Sequence, residues 1–310
     1  MLNLRGEKSE IGTIPSDRSM AELMKFGIVI IDKPQGPSSH EVSAFVRKIL
    51  GLSVTGHTGT LDQNVSGVLV VLLEESRKVV SYIVPADKTY ICLMKTEITV
   101  DEGKLKSVLS NFHGQIYQRP PMLSAVAKRL RTRRVHELKI LEISGKNVLF
   151  SVKCEAGTYI RKIVSDAGEM LGVGTEMAEL RRTHAGDFSE KDSITLQNLS
   201  DYFFVWKEFG DGHYLRGAIH PVESLQMRKI IISDEAAMKI RHGIKPKVLD
   251  ILELDGKIRA NDKIGLFTGK GELIAMAESN FPSDELEKMA KTDKSAENAA
   301  RISRVIHPFG

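Results

Sequence analysis

An α+β fold with a small β-barrel at its C-terminal end is what the order of segments in this 310-residue chain predicts. Three observations carry that expectation. Short apolar runs rich in β-branched residues, such as 27–31 and 68–73, have the length and composition of buried strands. Alternating with them are stretches whose apolar residues recur at i, i+3, i+4 and i+7, the spacing of an amphipathic helix. From Met227 onward the texture changes to short strands separated by turns, which suits a small separate barrel.

Composition narrows the class of protein without naming a function. With 42% hydrophobic and 27% charged residues the chain reads as an ordinary globular protein. Its longest apolar runs are too short to cross a bilayer, and no charged-then-apolar leader opens it. A cytoplasmic, intracellular protein with no membrane partner is therefore expected. Cys92 and Cys154 sit at no metal-ligand or disulfide spacing. The net charge of +4 gives a mild preference for anionic partners.

Taken in order, residues 1–25 are polar and weakly patterned and read as an arm. Residues 27–31 form a strand, which Asp32-Lys33-Pro34-Gln35-Gly36-Pro37 ends. Ser38 and Glu41 match a capping box, Val42, Phe45, Val46 and Ile49 mark the helix face, and Gly51 stands at its C-cap. The glycine-rich stretch 56–67 leads into the strand 68–73. Lys88-Thr89-Tyr90 enters a strand through Met94. Leu105, Val108, Leu109 and Phe112 mark a second helix, stopped by Gly114, and Arg119-Pro120-Pro121 is extended. Residues 148–154 read as a strand, and Ile160, Ile163, Val164, Ala167 and Leu171 as a third helix face. Residues 194–225, with the aromatics Tyr202, Phe203, Phe204 and Trp206, read as a connecting segment. The last third predicts strands at 229–232, 248–254, 264–267, 273–277 and 302–306. Asp255-Gly256 and Gly269-Lys270-Gly271 are read as hairpin turns, and 283–300 as a charged helix or loop.

Two stretches carry chemistry. Asp62 is a single carboxylate in a loop of glycines and hydroxyls, anchored by the strand that follows, which is how a scaffold presents a reactive group. An Asp capping its own turn accounts for the local pattern about equally well. Lys128, Arg129, Arg131, Arg133 and Arg134 are five cations in seven residues with no acid among them, a run that favours phosphate contact over a merely solvated face.

Five segments in order give the chain a likeness. Gly27-Ile-Val-Ile-Ile-Asp32-Lys33-Pro34-Gln-Gly36, Gly56-His57-Thr-Gly59-Thr-Leu-Asp62, Lys88-Thr-Tyr90, Arg119-Pro-Pro, and Gly157-Thr-Tyr159-Ile-Arg161 with Leu180-Arg-Arg182 resemble the TruB-type pseudouridine synthases. More specifically, the chain is similar to their archaeal and eukaryotic dyskerin-like branch, over residues 26–306. The interval from Arg119 to Gly157 is too short for the RNA-gripping insertion of stand-alone members. The segment from Trp206 to Glu223 resembles the guided enzymes' link into their last domain.

The resemblance implies a catalytic domain at 26–226, with a mixed, mostly antiparallel sheet, flanking helices and a central cleft. It also implies an RNA-binding PUA domain at 227–310, on which the arm 1–25 can pack. The implied reaction breaks a uridine's N-glycosidic bond, turns the base and rejoins it through carbon, with no cofactor and no metal. Asp62 is the implied catalytic carboxylate, acting at C1′, at uracil C6 or in a route through 2′-proton removal. Arg161 is its counter-ion, Tyr90 stacks on the uracil and can act as a base, and His57 enters the space vacated by the flipped nucleotide. Tyr159, Leu180 and Lys33 are placed on the substrate side, with Lys33 shaping the loop that faces Asp62. The family usually has proline after the aspartate; here Gln63 stands there, and a looser loop is expected.

The implied partners are a box H/ACA guide RNA, an rRNA or tRNA substrate, and small H/ACA accessory proteins. The rival readings are a guide-independent enzyme acting on the tRNA T-loop and a non-catalytic RNA-binding scaffold.

Overall fold

The computed structural model describes residues 1–4, 9–119 and 129–306. Pro120, Pro121 and Lys128, read above as extended chain and a phosphate contact, lie outside them.

A large sheet runs Ile219–Pro221, Gly27–Lys33, Ser66–Leu73, Thr175–Ala185, Lys88–Thr96, Asn147–Cys154, Arg131–Ser144, Gly114–Gln118. Thr55–Thr58 adds to Ser66–Leu73, and Phe188–Ser189 to Thr175–Ala185. All neighbours are antiparallel except Ser66–Leu73 and Thr175–Ala185, which meet in parallel at Ser66↔Arg181 and Gly67↔Arg182. At that joint Gly67 adopts φ +102°, and a Cβ there would lie 2.1 Å from the Arg182 carbonyl oxygen. No side chain fits so close an approach.

Helices flank this sheet. Ser39–Leu50 forms as its capping box dictates, and Gly51 closes it at φ +63°. Phe45, assigned above to the buried face, is 45% exposed. The buried stripe instead runs through Ser39, Val42, Ser43, Val46 and Leu50, because the two serines bond the loop and strand below: Ser43 Oγ meets Thr55 Oγ1 at 3.1 Å. Arg131, Arg133 and Arg134 of the cationic run prove to lie at the start of a long strand, Arg131–Ser144. The connecting segment holds two helices, Leu196–Phe209 and His213–Ala218, before contributing Ile219–Pro221 to the sheet edge.

A second sheet runs Leu2–Asn3, Ile251–Leu254, Arg228–Ile232, Lys263–Phe267, Leu273–Ser279, Ala300–Val305. Its first strand comes from the N-terminal arm, with Leu2 opposite Leu254. Arg228–Ile232 and Lys263–Phe267 are parallel. Asp255-Gly256 is consequently not a hairpin turn, since the strands it connects lie on either side of Arg228–Ile232. Val248–Asp250 forms a 3-10 turn ahead of its strand, and the stretch 283–300 holds the short helix Ser283–Met289 and a 3-10 turn at Asp293–Ala296.

The two sheets share a core. Ile28, Ile30, Val68, Val70 and Leu72 of the first pack in one cluster with Phe267, Leu273, Met276 and Ile306 of the second, through Val222, Leu225 and Met227. Beside this seam lies a buried charge cluster. Arg18 grips Glu223 with both Nη atoms, at 2.8 and 2.7 Å. Arg18 also lies 3.7 Å from Glu272, which Arg241 meets at 3.3 Å. Among the described residues no helix is long and apolar enough to cross a membrane.

Candidate active site

The parallel joint of the large sheet opens into a cavity of about 560 Å³, lined by His57, Asp62, Tyr90, Tyr159, Arg161, Leu180 and Arg182 among others. Six of the seven sequence-predicted cleft residues thus converge from four separate segments. The seventh, Lys33, does not face the cavity. It is fully buried, and its ammonium donates to the carbonyls of Pro34 (2.8 Å), Gln63 (3.3 Å) and Val65 (2.8 Å). Burial lowers its pKa, with the nearby Asp62 opposing that shift and Arg182 adding to it. The substrate-side role assigned to Lys33 is corrected: all three donors of a Lys are used to hold the loop around Asp62 from beneath.

The same bonds answer the question of Gln63. Its carbonyl also accepts from Gly36 N–H at 2.8 Å, and Val65 N–H donates to Asp62 O at 3.1 Å. On the other flank, Leu61 N–H donates to Ser39 Oγ (2.8 Å) while that hydroxyl lies 3.0 Å from Leu61 O. The loop is fixed by tertiary hydrogen bonds through atoms that a proline would equally possess, so the expected looseness does not follow.

Asp62 projects from this frame and is paired. Arg161, in the first turn of the helix Ile160–Leu171, donates Nη2–H to Asp62 Oδ2 at 2.6 Å. Oδ1 has no hydrogen bond among the described residues, so one oxygen is held and the other is available. The side chains are 63% and 46% exposed, so in the free protein the pair contributes about 0–1 kcal/mol, not the ~4 kcal/mol of two charges at 4 Å in a medium of dielectric 20. Its function is aim more than stability. The helix carrying Arg161 is located by a two-point clamp: Tyr159 N–H donates to Gln118 Oε1 (2.9 Å) and Gln118 Nε2 donates to Tyr159 O (3.0 Å).

Tyr90 and Leu180 line the cavity from adjacent antiparallel strands. Burial raises the Tyr90 phenol above its usual pKa of 10, only partly offset by Arg182. At neutral pH it is a proton donor, which weakens its reading as a base. His57 extends from Thr55–Thr58, with Nε2 3.4 Å from Thr60 Oγ1 and its ring edge-on to His40 at 6.5 Å. Burial first, then His40 and Arg182, lower its pKa and so favour the neutral ring. Lys88, at the cavity wall, donates to Val84 O and Ala86 O, and burial brings it down to about 8.

Strand alternation divides the cationic run. Arg131 and Arg133 stand opposite Gln118 and Ile116, on the face that carries buried Val135, whereas Arg134 points to the exposed face. Arg133 lies against the cavity wall, where a Cβ on Gly157 would be 3.1 Å from its Nη2. Arg129 is exposed just before the strand.

The sequence matches the family model described as TruB family pseudouridylate synthase (N terminal domain) over residues 47–160, and tRNA pseudouridylate synthase B C-terminal domain over 161–226. A DKCLD (NUC011) domain matches 5–43 and a PUA domain 228–302. It is 43% identical over 290 residues to a probable tRNA pseudouridine synthase B of Pyrobaculum aerophilum, covering 91% of this chain and 87% of that protein. The chain belongs to the TruB family of pseudouridine synthases. A second such relative, from Thermococcus onnurineus, is 44% identical over 295 residues, 93% of this chain and 88% of its own.

Among solved structures, the synthase superposes on a chain of a Cbf5-Nop10-Gar1 complex with TM-score 0.91 and 41% identity, covering 99% of this chain and 94% of that one. It superposes on a chain of an H/ACA ribonucleoprotein bound to a substrate RNA containing 2′-deoxyuridine with TM-score 0.90 and 39% identity, again covering 99% and 94%.

Three site residues of the synthase received no role from the sequence. Gln118 and Ser39 act through contacts to residues distant in sequence, for which no local pattern exists. Arg182 had a signal: in a strand, residues two apart share a face, so Leu180 brings Arg182 into the cavity and turns Arg181 away. Arg181 instead grips Asp32 with both Nη atoms, at 2.9 and 3.0 Å.

Proposed function

We propose that this synthase converts specific uridines of RNA, chiefly rRNA, to pseudouridine as the catalytic subunit of a box H/ACA ribonucleoprotein. Asp62 is the catalytic carboxylate, Arg161 aims it, and Tyr90 stacks on the base. The observation that carries the chemistry is the convergence of these three residues on one cavity, with Oδ2 of Asp62 held and, among the described residues, no hydrogen bond to Oδ1. The observation that favours guided action is likeness along 99% of the chain to proteins solved within such assemblies. A target uridine must leave its stack to reach the cavity, at a cost of a few kcal/mol. Stacking on Tyr90 offsets about 1–3 kcal/mol of it. His57 fills the space that the nucleotide leaves, and Tyr159 and Leu180 bound the base. The RNA substrates of this reading put its proposed place of action in the cytoplasm.

The second reading, guide-independent modification of tRNA, is favoured by the names of the curated relatives. One assay separates the two. Purified chain is given tRNA alone, then a guide–target RNA pair together with small accessory proteins. Turnover of the guided target with little on tRNA alone is expected; efficient turnover of tRNA by the chain alone assigns it the second role.

The cationic strand supplies a second test. Replacing Arg129, Arg131 and Arg133 by Gln should flatten the log–log salt dependence of RNA binding by about 2, near 0.7 per lost phosphate contact on single-stranded RNA. Arg134→Gln, on the opposite face, should leave the slope unchanged. Filter binding at a series of salt concentrations checks both.

A further inference from the structure

We propose that Arg182 is a positioning residue of the reaction: it fixes both flanks of the Asp62 loop and holds the Tyr90 phenol by its oxygen, so that the phenol O–H faces the cavity. The inference rests on the function proposed above. Arg182 is 1% exposed, yet its guanidinium lies at the cavity wall. Nε–H donates to Val68 O at 2.7 Å and Nη1–H to Gly59 O at 2.6 Å, one carbonyl after Asp62 and one before it. Gly59 permits this approach, with φ +63° and a would-be Cβ only 3.1 Å from Arg182 Nη1.

Among the described residues Nη2, closed off from solvent, meets no acceptor at full hydrogen-bond geometry, and the Tyr90 phenol is the group within looser reach of it. A buried, unmatched donor is destabilising, so its neighbour matters. That neighbour is Tyr90, which stands directly opposite Arg182 in the sheet and whose phenol interacts favourably with the guanidinium. A guanidinium only donates. The phenol beside it must offer a lone pair, and its own hydrogen is turned away, toward the space that a flipped base would occupy. Two residues of the site thereby share one support: Asp62 through its loop and Tyr90 through its oxygen.

The rival account is that Arg182 merely props the sheet joint. A double-mutant cycle decides between them, using single-turnover conversion of the target uridine by the full chain assembled with its RNA and accessory proteins. Arg182→Gln is expected to slow conversion about 10²-fold when Tyr90 is present but only a few-fold in a Tyr90→Phe background, because residues acting through one contact are non-additive. Equal slowing in both backgrounds overturns the proposal.

Should Arg182→Gln fail to fold, the wild-type chain and Tyr90→Phe suffice. In ¹⁵N-arginine-labelled protein the Arg182 Nη hydrogens should exchange with solvent at least about tenfold faster once the phenol oxygen is gone, as expected for a lost hydrogen-bond partner. Unchanged exchange overturns the proposal. If the wild-type chain converts no uridine in any RNA, the function proposed above fails, while the exchange measurement still decides whether Arg182 holds Tyr90.

Discussion

Asp62→Asn is expected to reduce uridine conversion by more than about 10³-fold, toward the upper end of what removal of a positioned acid–base group produces. The geometry explains why so small a change has so large an effect. The amide retains an oxygen that Arg161 can hold, and nothing in the loop's support depends on the side chain: Lys33, Ser39 and Gly36 all bond main-chain atoms. Shape and aim survive, and what is lost is the charge and basicity of Oδ1. RNA affinity should stay within a few-fold, since the cations of the Arg131–Ser144 strand are untouched. Single-turnover assay and equilibrium binding on the same RNA check the two halves. Retained turnover would remove Asp62 from the mechanism, and a large loss of binding would make it a contact for RNA.

Arg18→Ala should destabilise the protein by about 3–5 kcal/mol, the effect of removing one member of a buried ion pair. Arg18 is 1% exposed, and Glu223 and Glu272 beside it are 6% and 5% exposed. Without it two carboxylates remain in the seam between the sheets, one of them still met by Arg241 at 3.3 Å. Glu223 would also be less well held to accept from Leu273 N–H, 3.0 Å away.

The pH dependence has a defined sign. Burial already raises the Glu272 pKa, with Arg18 and Arg241 opposing and Glu223 adding to the rise. Removing Arg18 raises it further. A carboxyl whose folded pKa lies above its unfolded value favours the fold below the unfolded pKa and loses that contribution as pH rises through the folded one. The deficit of the variant should therefore be larger at pH 7 than at pH 5. Urea denaturation at the two pH values checks both magnitude and direction; a deficit below 1 kcal/mol would show the cluster to be solvated.

What the sequence made legible was whatever a local rule governs. The helix Ser39–Leu50 is written in its capping box and in Gly51, and the Asp62 loop in its glycines. Arg161 could be singled out by its motif, though its 2.6 Å contact with Asp62 joins residues far apart in the chain. The misread positions share a physical cause. Lys33 ends a strand just before a proline, where a lysine is ordinarily solvated, and the chain folded around it supplies three carbonyls to bond. The strand Arg131–Ser144 is charged along its exposed face and so hides its period-two pattern. Asp255-Gly256 has the composition of a hairpin turn, but pairing across Arg228–Ile232 separates the strands that it joins.

The apolar cluster shared by the two sheets sets how the chain can be divided. Met227 marks the change of texture in the sequence, yet it is itself 4% exposed and packed among residues of both sides. Cutting there would uncover Ile28, Val70 and Leu72 on one fragment and Phe267, Leu273 and Met276 on the other. Each exposed face would favour association over solubility. What looks in one dimension like a linker between modules is in three dimensions a keystone, packed into the one apolar cluster that both sheets share.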